Sequence, residues 1–366
     1  MNDFQYLIDY FKEYPILIKM VWIFSGVLFV GIIVLIIILK YLRSRLRING
    51  KLNKTYKEKY ESLLINYLYS GTEEEGISPD QQSVINQLEI CIKDKFKRKI
   101  VISSLVKLRN EISGEVANSI KNLYLQVGLN NFALEKLKNK KWNIIAQGIK
   151  EFSEFQIEEI QNEVLKHLNH QRKEVRDEVQ LYLVKLFNFE GLKFLNELKM
   201  PLSEWDQIQL LEVLQRFKNQ EIPDITPWLK SSNDSVVLFA LKLSQIYNKF
   251  DVIETLIKLL NHKNKIVRVR VIETLSYFQD IEAKIILKNK FDNLSLEEQI
   301  AFFKLLENSF ENTDQKFLLK HIYHQNFEIK KTALKILKIL DTEKFNSLKD
   351  TSEDPSFVKI FNFIEN

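Results

Sequence analysis

Cysteine, proline and glycine are scarce in this chain of 366 residues, which holds one Cys, six Pro and nine Gly. With a single thiol, Cys91, no internal disulfide can form, so no thiol framework ties the fold to an oxidising compartment. Cys91 falls in a helical pattern with Val84, Leu88 and Ile92, and with no His or glycine-rich turn beside it the expectation is a buried, inert thiol. So few turn formers exclude a turn-rich sandwich, a collagen-like fibre and a glycine-rich nucleotide fold. Gly71 and Gly76 have phosphate-loop spacing, but Ile77 and Ser78 replace the required Lys and Ser or Thr, and Glu73, Glu74 and Glu75 between them repel phosphate. Gly-x-Gly-x-x-Gly, Gly-x-Ser-x-Gly and His-Glu-x-x-His runs do not occur either. What is present is 45% apolar and 28% charged, too long for one ordinary core and too apolar for a disordered chain. Long helices, in several domains or a repeat array, are what remains.

Residues 20–39 read MVWIFSGVLFVGIIVLIIIL, twenty residues without a charge, about 30 Å as a helix and enough to span the hydrocarbon of a bilayer. A cleaved signal peptide would have a shorter apolar stretch followed by small residues, whereas Lys40, Arg43 and Arg45 follow here. Residues 1–19 hold Lys12 and Lys19 against Asp3, Asp9 and Glu13, while residues 40–59 hold eight bases against Glu58. The positive side stays in the cytoplasm, so the expected topology is a single pass through an inner (plasma) membrane, N-terminus outside and the body cytoplasmic. Phe4, Leu7, Ile8, Phe11 and Tyr14 in residues 1–19 suit either a short interfacial helix or a frayed end.

The formal charge of +5 invites a nucleic-acid reading. Its distribution does not. Residues 1–59 carry ten basic and four acidic side chains, leaving 43 and 44 for residues 60–366. The basicity is a juxtamembrane collar in which Lys40, Arg43, Arg45 and Arg47 are candidates for contact with anionic lipid headgroups. The body lacks the net positive charge of a phosphate-binding domain, which makes nucleic acid an unlikely partner.

Beyond residue 128 the sequence repeats. Segments starting at 144, 175, 206, 236, 267, 298 and 329 align without gaps at steps of 31 or 30. Apolar residues recur at offsets 4, 5, 8 and 11, and a charge at offset 6 in six of seven, which is one stripe of an amphipathic helix. The intervening residues carry a second apolar pattern, as in Ile160, Val164, Leu165 and Leu168, or Val252, Leu256, Ile257, Leu259 and Leu260. A pair of helices cannot enclose a core alone, so neighbours must stack, and an all-α fold, an alpha-solenoid of helix pairs preceded by one transmembrane helix, is expected.

Arg172-Lys173-Glu174-Val175-Arg176 with Val179 and Leu183, and Asn264-Lys265-Ile266-Val267-Arg268 with Val271 and Leu275, resemble the second helix of HEAT repeats, particularly the short bilin-lyase-type variety. Glu328-Ile329-Lys330 with Ala333 and Leu337 is a weaker copy, and the segments at 206 and 298 lose the Val-Arg pair. The resemblance covers residues 128–345; the 34-residue period of tetratricopeptide repeats and the Thr-Pro-Leu-His motif of ankyrin repeats are absent. Around this block, residues 40–68 are expected to continue the membrane helix, 70–82 to form a surface loop closing a juxtamembrane region of 40–83, 84–127 a divergent capping helix pair, and 346–366 a C-terminal cap built on Phe357, Ile360, Phe361 and Phe363.

No constellation in the sequence reads as catalytic, cofactor-binding or metal-binding. His170, His262 and His324 end the first helices of three repeats, with His167 and His321 three residues ahead of two of them. Recurrence in separate repeats points to a structural job near a helix C-terminus. Arg176, Arg268 and Lys330 are expected to bond to loops of adjacent repeats. On the polar face of the second helices, at offsets 3, 6 and 10, Leu181, Phe239, Ile246 and Tyr277 stand where charge predominates. The resemblance implies that these helices line a concave surface, so the four are either a docking patch for a protein partner or scattered surface residues without consequence.

The reading is therefore a non-enzymatic, membrane-anchored scaffold or regulatory subunit binding a protein at the cytoplasmic face, with a membrane-embedded enzyme or a secretion complex as an example of a client. The Ile, Lys and Asn bias fits a bacterial origin. A bilin-lyase-like enzyme would need converging ionisable groups in a pocket, and a nucleic-acid-binding repeat protein of the glycosylase type would need a basic concave stripe where Glu212 and Glu273 lie.

Overall fold

A computed structural model describes residues 15–70, 76–112, 114–217, 222–351 and 355–365, and every regular element among these residues is helical. Of residues 1–19, expected as an interfacial helix or a frayed end, 1–14 lie outside the described residues and 16–19 already belong to the long helix that follows. Two compact units divide at Phe132 and Ala133, a few residues beyond the anticipated boundary at 127.

In the first unit, helix α1 (Ile16–Tyr69) runs for 54 residues, about 81 Å. It starts directly after Pro15, which lacks the N–H a helix interior needs, and contains no further proline. It ends where Ser70 bonds back to the Asn66 carbonyl through both N–H (3.0 Å) and Oγ (2.6 Å). The apolar part of α1 is unburied, and only its last turns are packed. There Tyr60, Leu64 and Tyr67, one face at helical spacing, are buried against α2 (Pro79–Ile92), α3 (Lys95–Glu111) and α4 (Glu115–Gln126). Tyr67 donates to Gln126 Oε1 at 3.2 Å, and Gln81 Nε2 donates to the Tyr67 carbonyl at 3.1 Å.

Residues 84–127 thus hold most of three helices and not a pair. Pro79 opens α2 at its first position, where its missing N–H costs nothing, and Ser78 and Gln81 close a reciprocal capping box in front of it, so the loop after α1 ends at Ser78 and not at Gln82. Asp94 then caps α3 by accepting from Lys97 N–H at 2.8 Å. Cys91 is half-buried, not buried as expected, and its side chain is hydrogen-bonded with that of Tyr60.

α5 (Leu129–Leu137), within which the division falls, leads into the array of the second unit. Its backbone skeleton is seven helices: α6 (Trp142–Phe155), α8 (Lys173–Phe187), α9 (Glu204–Leu214), α11 (Asp234–Ile246), α13 (Lys265–Phe278), α15 (Leu296–Ser309) and α17 (Phe327–Leu340). Each begins two residues before one of the seven aligned segments. The elements preceding them are short: α7 (Gln161–Leu165), a 3₁₀-helix (Asn188–Asn196), α10 (Thr226–Leu229), α12 (Ile253–Leu259), α14 (Ile281–Asn289) and α16 (Gln315–His321). The second helices pack on one another as α6–α8–α9 and as α11–α13–α15–α17. Between α9 and α11 the joint is made by loops: Asn233 Nδ2 donates to the Leu198 and Met200 carbonyls at 3.0 Å each, and Leu202 N–H donates to Ser235 Oγ at 2.8 Å. α18 (Thr342–Thr351) and α19 (Pro355–Glu365) close the end on α17, burying Phe345, Phe357, Ile360 and Phe361.

Offsets 4 and 8 are buried in all seven second helices, as the apolar stripe requires. Offset 7 is buried in all seven too, including Glu151, Tyr182 and Thr274, because each helix has a neighbouring second helix at its flank as well as a first helix beneath it. Between the segments at 175 and 206 the first helix of the pair is a 3₁₀-helix (Asn188–Asn196), and Gly191 explains its close approach to α8. A Cβ there would lie 2.2 Å from the Leu183 carbonyl oxygen of α8. Gly191→Ala should therefore cost about 2–3 kcal/mol in a denaturation experiment, since backbone cannot move aside. Gly50→Ala, in the exposed interior of α1 with nothing within 4 Å of the added methyl, should instead gain about 0.5–1 kcal/mol.

Candidate partner-binding surface

The four sequence candidates fall in different environments. Tyr277 is 53% exposed and Ile246 46% exposed, while Leu181 is half-buried and Phe239 is 0% exposed. Phe239 is thus a correction: it is a core residue of α11 and not a surface one. Offset 3 lies on the flank of the helix, some 130° from the buried stripe at 100° per residue, and in α11 that flank is covered. Ala301 and Thr332, at the same offset of α15 and α17, are buried likewise.

Ile246 and Tyr277 sit at offset 10 of adjacent helices and are joined by the chain between α11 and α12. Asn248, in the left-handed region at φ +49°, ends α11, and Lys249 N–H donates to the Ser244 carbonyl at 2.9 Å in a Schellman closure. The Tyr277 hydroxyl donates to Asn248 Oδ1 at 2.9 Å. Phe250, 57% exposed, has its ring 4.9 Å from that of Phe278, which lies 5.5 Å from Tyr277. The aromatic cluster is therefore the exposed Phe250 and Tyr277 with the half-buried Phe278 between them, and Ile246 is exposed at the end of α11. Sequence reasoning missed Phe250, which stands outside the repeat's aligned helix; the signal was an Asn followed by an aromatic two residues after a helix end. Lys40, Arg43, Arg45 and Arg47 lie along α1, all exposed.

The histidines and arginines build the interhelix loops. His170, His262 and His324 each accept, through Nδ1, the backbone N–H two residues on: Arg172 at 3.0 Å, Asn264 at 3.1 Å and Asn326 at 3.0 Å. An Nδ1 so used is a loop acceptor. Arg176 Nη1 donates to the carbonyls of His170 (2.8 Å) and Gln171 (3.0 Å), and Arg268 Nη1 to those of His262 (2.8 Å) and Lys263 (3.3 Å). These are loops of the same repeat, not of its neighbour as expected. From the second turn of its helix the guanidinium folds back over the loop it has just left, and its fork matches two carbonyls. Arg268 also reaches the next repeat, where Nε bonds Glu298 Oε1 at 2.5 Å. Lys330 has no such fork, and its ammonium lies 5.2 Å from the Phe357 ring centre.

Ion pairs link repeats elsewhere. Lys173 bridges Asp177 (3.2 Å) to Asp206 of the next repeat, and Lys284 and Lys288 both reach the buried Asp314. Burial pushes the carboxyls of Asp206 and Glu298 up, but the hydrogen bonds from Lys173 and Ser203, and from Arg268 and Ser295, outweigh it and hold both below the ordinary range. Burial lowers His321, whose ring packs 4.3 Å from Phe317 and 4.6 Å from Phe291, and burial followed by the nearby His170 lowers His167. Among the described residues no group of three or more His, Cys, Asp or Glu could hold a metal.

No family model and no curated protein matches the chain. Among solved structures it is similar to an engineered protein determined by crystallography, at 14% identity over 84% of this chain and 99% of that one, with a TM-score of 0.35. It is also similar to a chain of the complex of Kap95p with RanGDP, at 11% identity over 86% of this chain and 51% of that one, with a TM-score of 0.40.

Two outcomes are expected. Phe239→Ser should cost about 3–5 kcal/mol in chemical denaturation, while Tyr277→Ser should leave the melting temperature within a degree or two, because only the first empties a core site. For the histidines the sign is set by a folded pKa below the unfolded one: near neutral pH nothing is lost, and as pH falls through about 6.5 the unfolded chain takes up the proton first. The melting temperature of the wild type should thus fall more steeply between pH 7 and pH 5.5 than that of His321→Phe, which keeps the ring and removes the titration.

Proposed function

We propose that the chain is a membrane-anchored scaffold or regulatory subunit: a HEAT-like α-solenoid held at the cytoplasmic face by one transmembrane helix, where it binds a protein partner. The observation that carries this reading is the division of α1. Residues 20–39 carry no charge and are exposed, an arrangement that water disfavours and a bilayer rewards; basic residues follow, and only the far end of the same helix is packed against protein. The charge asymmetry puts the N-terminus outside the inner membrane and the array in the cytoplasm. Lys40, Arg43, Arg45 and Arg47 follow the apolar stretch at the level of anionic headgroups, each adding about 1 kcal/mol near the surface.

Partner binding is assigned to Ile246, Phe250, Tyr277 and Phe278. An aromatic patch rimmed by polar side chains has the composition of an interface centre. Anchoring raises the local concentration of the array near membrane clients, so weak contacts suffice. A membrane-embedded enzyme or a secretion complex is the client class in view, and catalysis is no part of the reading. The loop histidines are engaged with backbone.

Two measurements test it. A reporter active only in the periplasm should be silent when fused after Asn366 and active when fused before Met1, and the reverse pattern would overturn the topology. A photo-crosslinking residue at Tyr277 in intact membranes should give a discrete protein adduct that Ile246→Glu with Phe250→Glu removes; an adduct indifferent to those substitutions would remove this surface from the proposal.

A further inference from the structure

We infer that the membrane-distal half of the basic collar, together with the start of α3, is a binding surface for an acidic polypeptide segment and not for lipid. This rests on the membrane-anchored reading above. α1 is one helix from Ile16 to Tyr69, so height above the apolar core can be counted along its axis at about 1.5 Å per residue. Measured from Leu39, Arg43 stands at about 6 Å, Arg47 at about 12 Å, Lys51 at about 18 Å and Lys59 at about 30 Å. The headgroup zone adds only about 5–8 Å to each side of the hydrocarbon, and physiological salt screens charge over about 8 Å. A tilt of about 20° shortens these heights by less than a tenth. Lys40, Arg43, Arg45 and Arg47 therefore reach the lipid surface, and Lys51, Lys54, Lys57 and Lys59 stand beyond it.

α3 enlarges that second group. The Phe96 ring lies 6.4 Å from Tyr56 edge-on, and the Lys97 ammonium lies 5.4 Å from the Tyr56 ring centre, so the run Lys93-Asp94-Lys95-Phe96-Lys97-Arg98-Lys99 meets α1 at the height of Tyr56. Residues 51–61 and 93–99 together hold nine bases and three acids. The acids are engaged locally: Glu58 with Lys54 at 4.0 Å, Glu61 with Lys107 at 3.3 Å, and Asp94 as the cap of α3. Arg98 is turned inward, donating to the Ile92 carbonyl at 3.0 Å with its guanidinium 3.9 Å from the Phe132 ring centre. Lys51, Lys59, Lys93, Lys95 and Lys99 are exposed.

The aromatic residues in this patch are not a platform for nucleobases. Tyr56 is already stacked on Tyr60, with centroids 6.0 Å apart and planes at 12°, and is flanked by Phe96 and Lys97. The remainder of the body, residues 62–92 and 100–366, carries 38 bases against 42 acids, which disfavours a long polyanion running past the patch. A short run of Asp and Glu on a protein meets the same lysines without that penalty.

The test uses the full chain in nanodiscs of phosphatidylcholine, with or without phosphatidylserine, titrated with a fluorescent decaglutamate peptide at low salt. Binding should be equal in the two lipid compositions, should weaken as salt rises, and should fall about tenfold or more in the combined variant Lys54→Glu, Lys95→Glu, Lys99→Glu, whose helicity is checked by circular dichroism. Arg43→Gln with Arg47→Gln should leave it unchanged. Unchanged binding in the triple variant, displacement of the peptide by phosphatidylserine, or tighter binding of a duplex DNA of equal charge would each overturn the inference. Entry into the disc is scored separately, so a chain that stays outside the disc and still binds the peptide with the same charge dependence defeats the anchor and supports the site.

Discussion

A helix pair with one apolar stripe on each member has nothing to close its open sides, and the second unit is organised by the resulting need to stack. The seven second helices bury offsets 4 and 8 against their own repeat and offset 7 at a flank. The strip that these leave facing water is centred on offsets 6 and 10. Ile246 and Tyr277 come from that strip and Phe250 from a loop at a helix end.

The loops are held as firmly as the helices. A histidine Nδ1 accepting a backbone N–H and an arginine donating to the histidine's own carbonyl tie the turn of the second repeat, and the same pair recurs at His262 and Arg268. Between neighbouring repeats, Arg268 to Glu298 and Lys173 to Asp206 cross the joint. Between α9 and α11, Asn233 holds the Leu198 and Met200 carbonyls. Apolar burial supplies the energy that holds the repeats together.

α1 solves the opposite problem. Its packed end sets Tyr60, Leu64 and Tyr67 against α2, α3 and α4, whereas the uncharged stretch of residues 20–39 is exposed. Between these lies a basic stretch longer than a headgroup layer is deep. The mismatch between the length of the charged stretch and the thickness of a lipid surface is what divides the collar into two parts with different chemistry.

The repeat period, the helix starts and the rows at offsets 4 and 8 were legible in the sequence, because a period of 3.6 inside a period of 31 leaves a pattern that needs no knowledge of neighbours. The same local logic misread Phe239, placed on a surface by a helical wheel that sees one helix at a time. It expected an amphipathic helix between the segments at 175 and 206, where Gly191 lets a 3₁₀-helix press on the Leu183 carbonyl, and it sent Arg176 to the wrong repeat's loop. The sequence by itself determined which residues form helices and which stripe of each must be hidden, since those depend on bonds and contacts a few residues apart. Only the tertiary structure decided which flanks are covered, which loops the arginines clasp and which aromatics remain exposed together, because these depend on neighbours about thirty residues away whose approach no local pattern encodes.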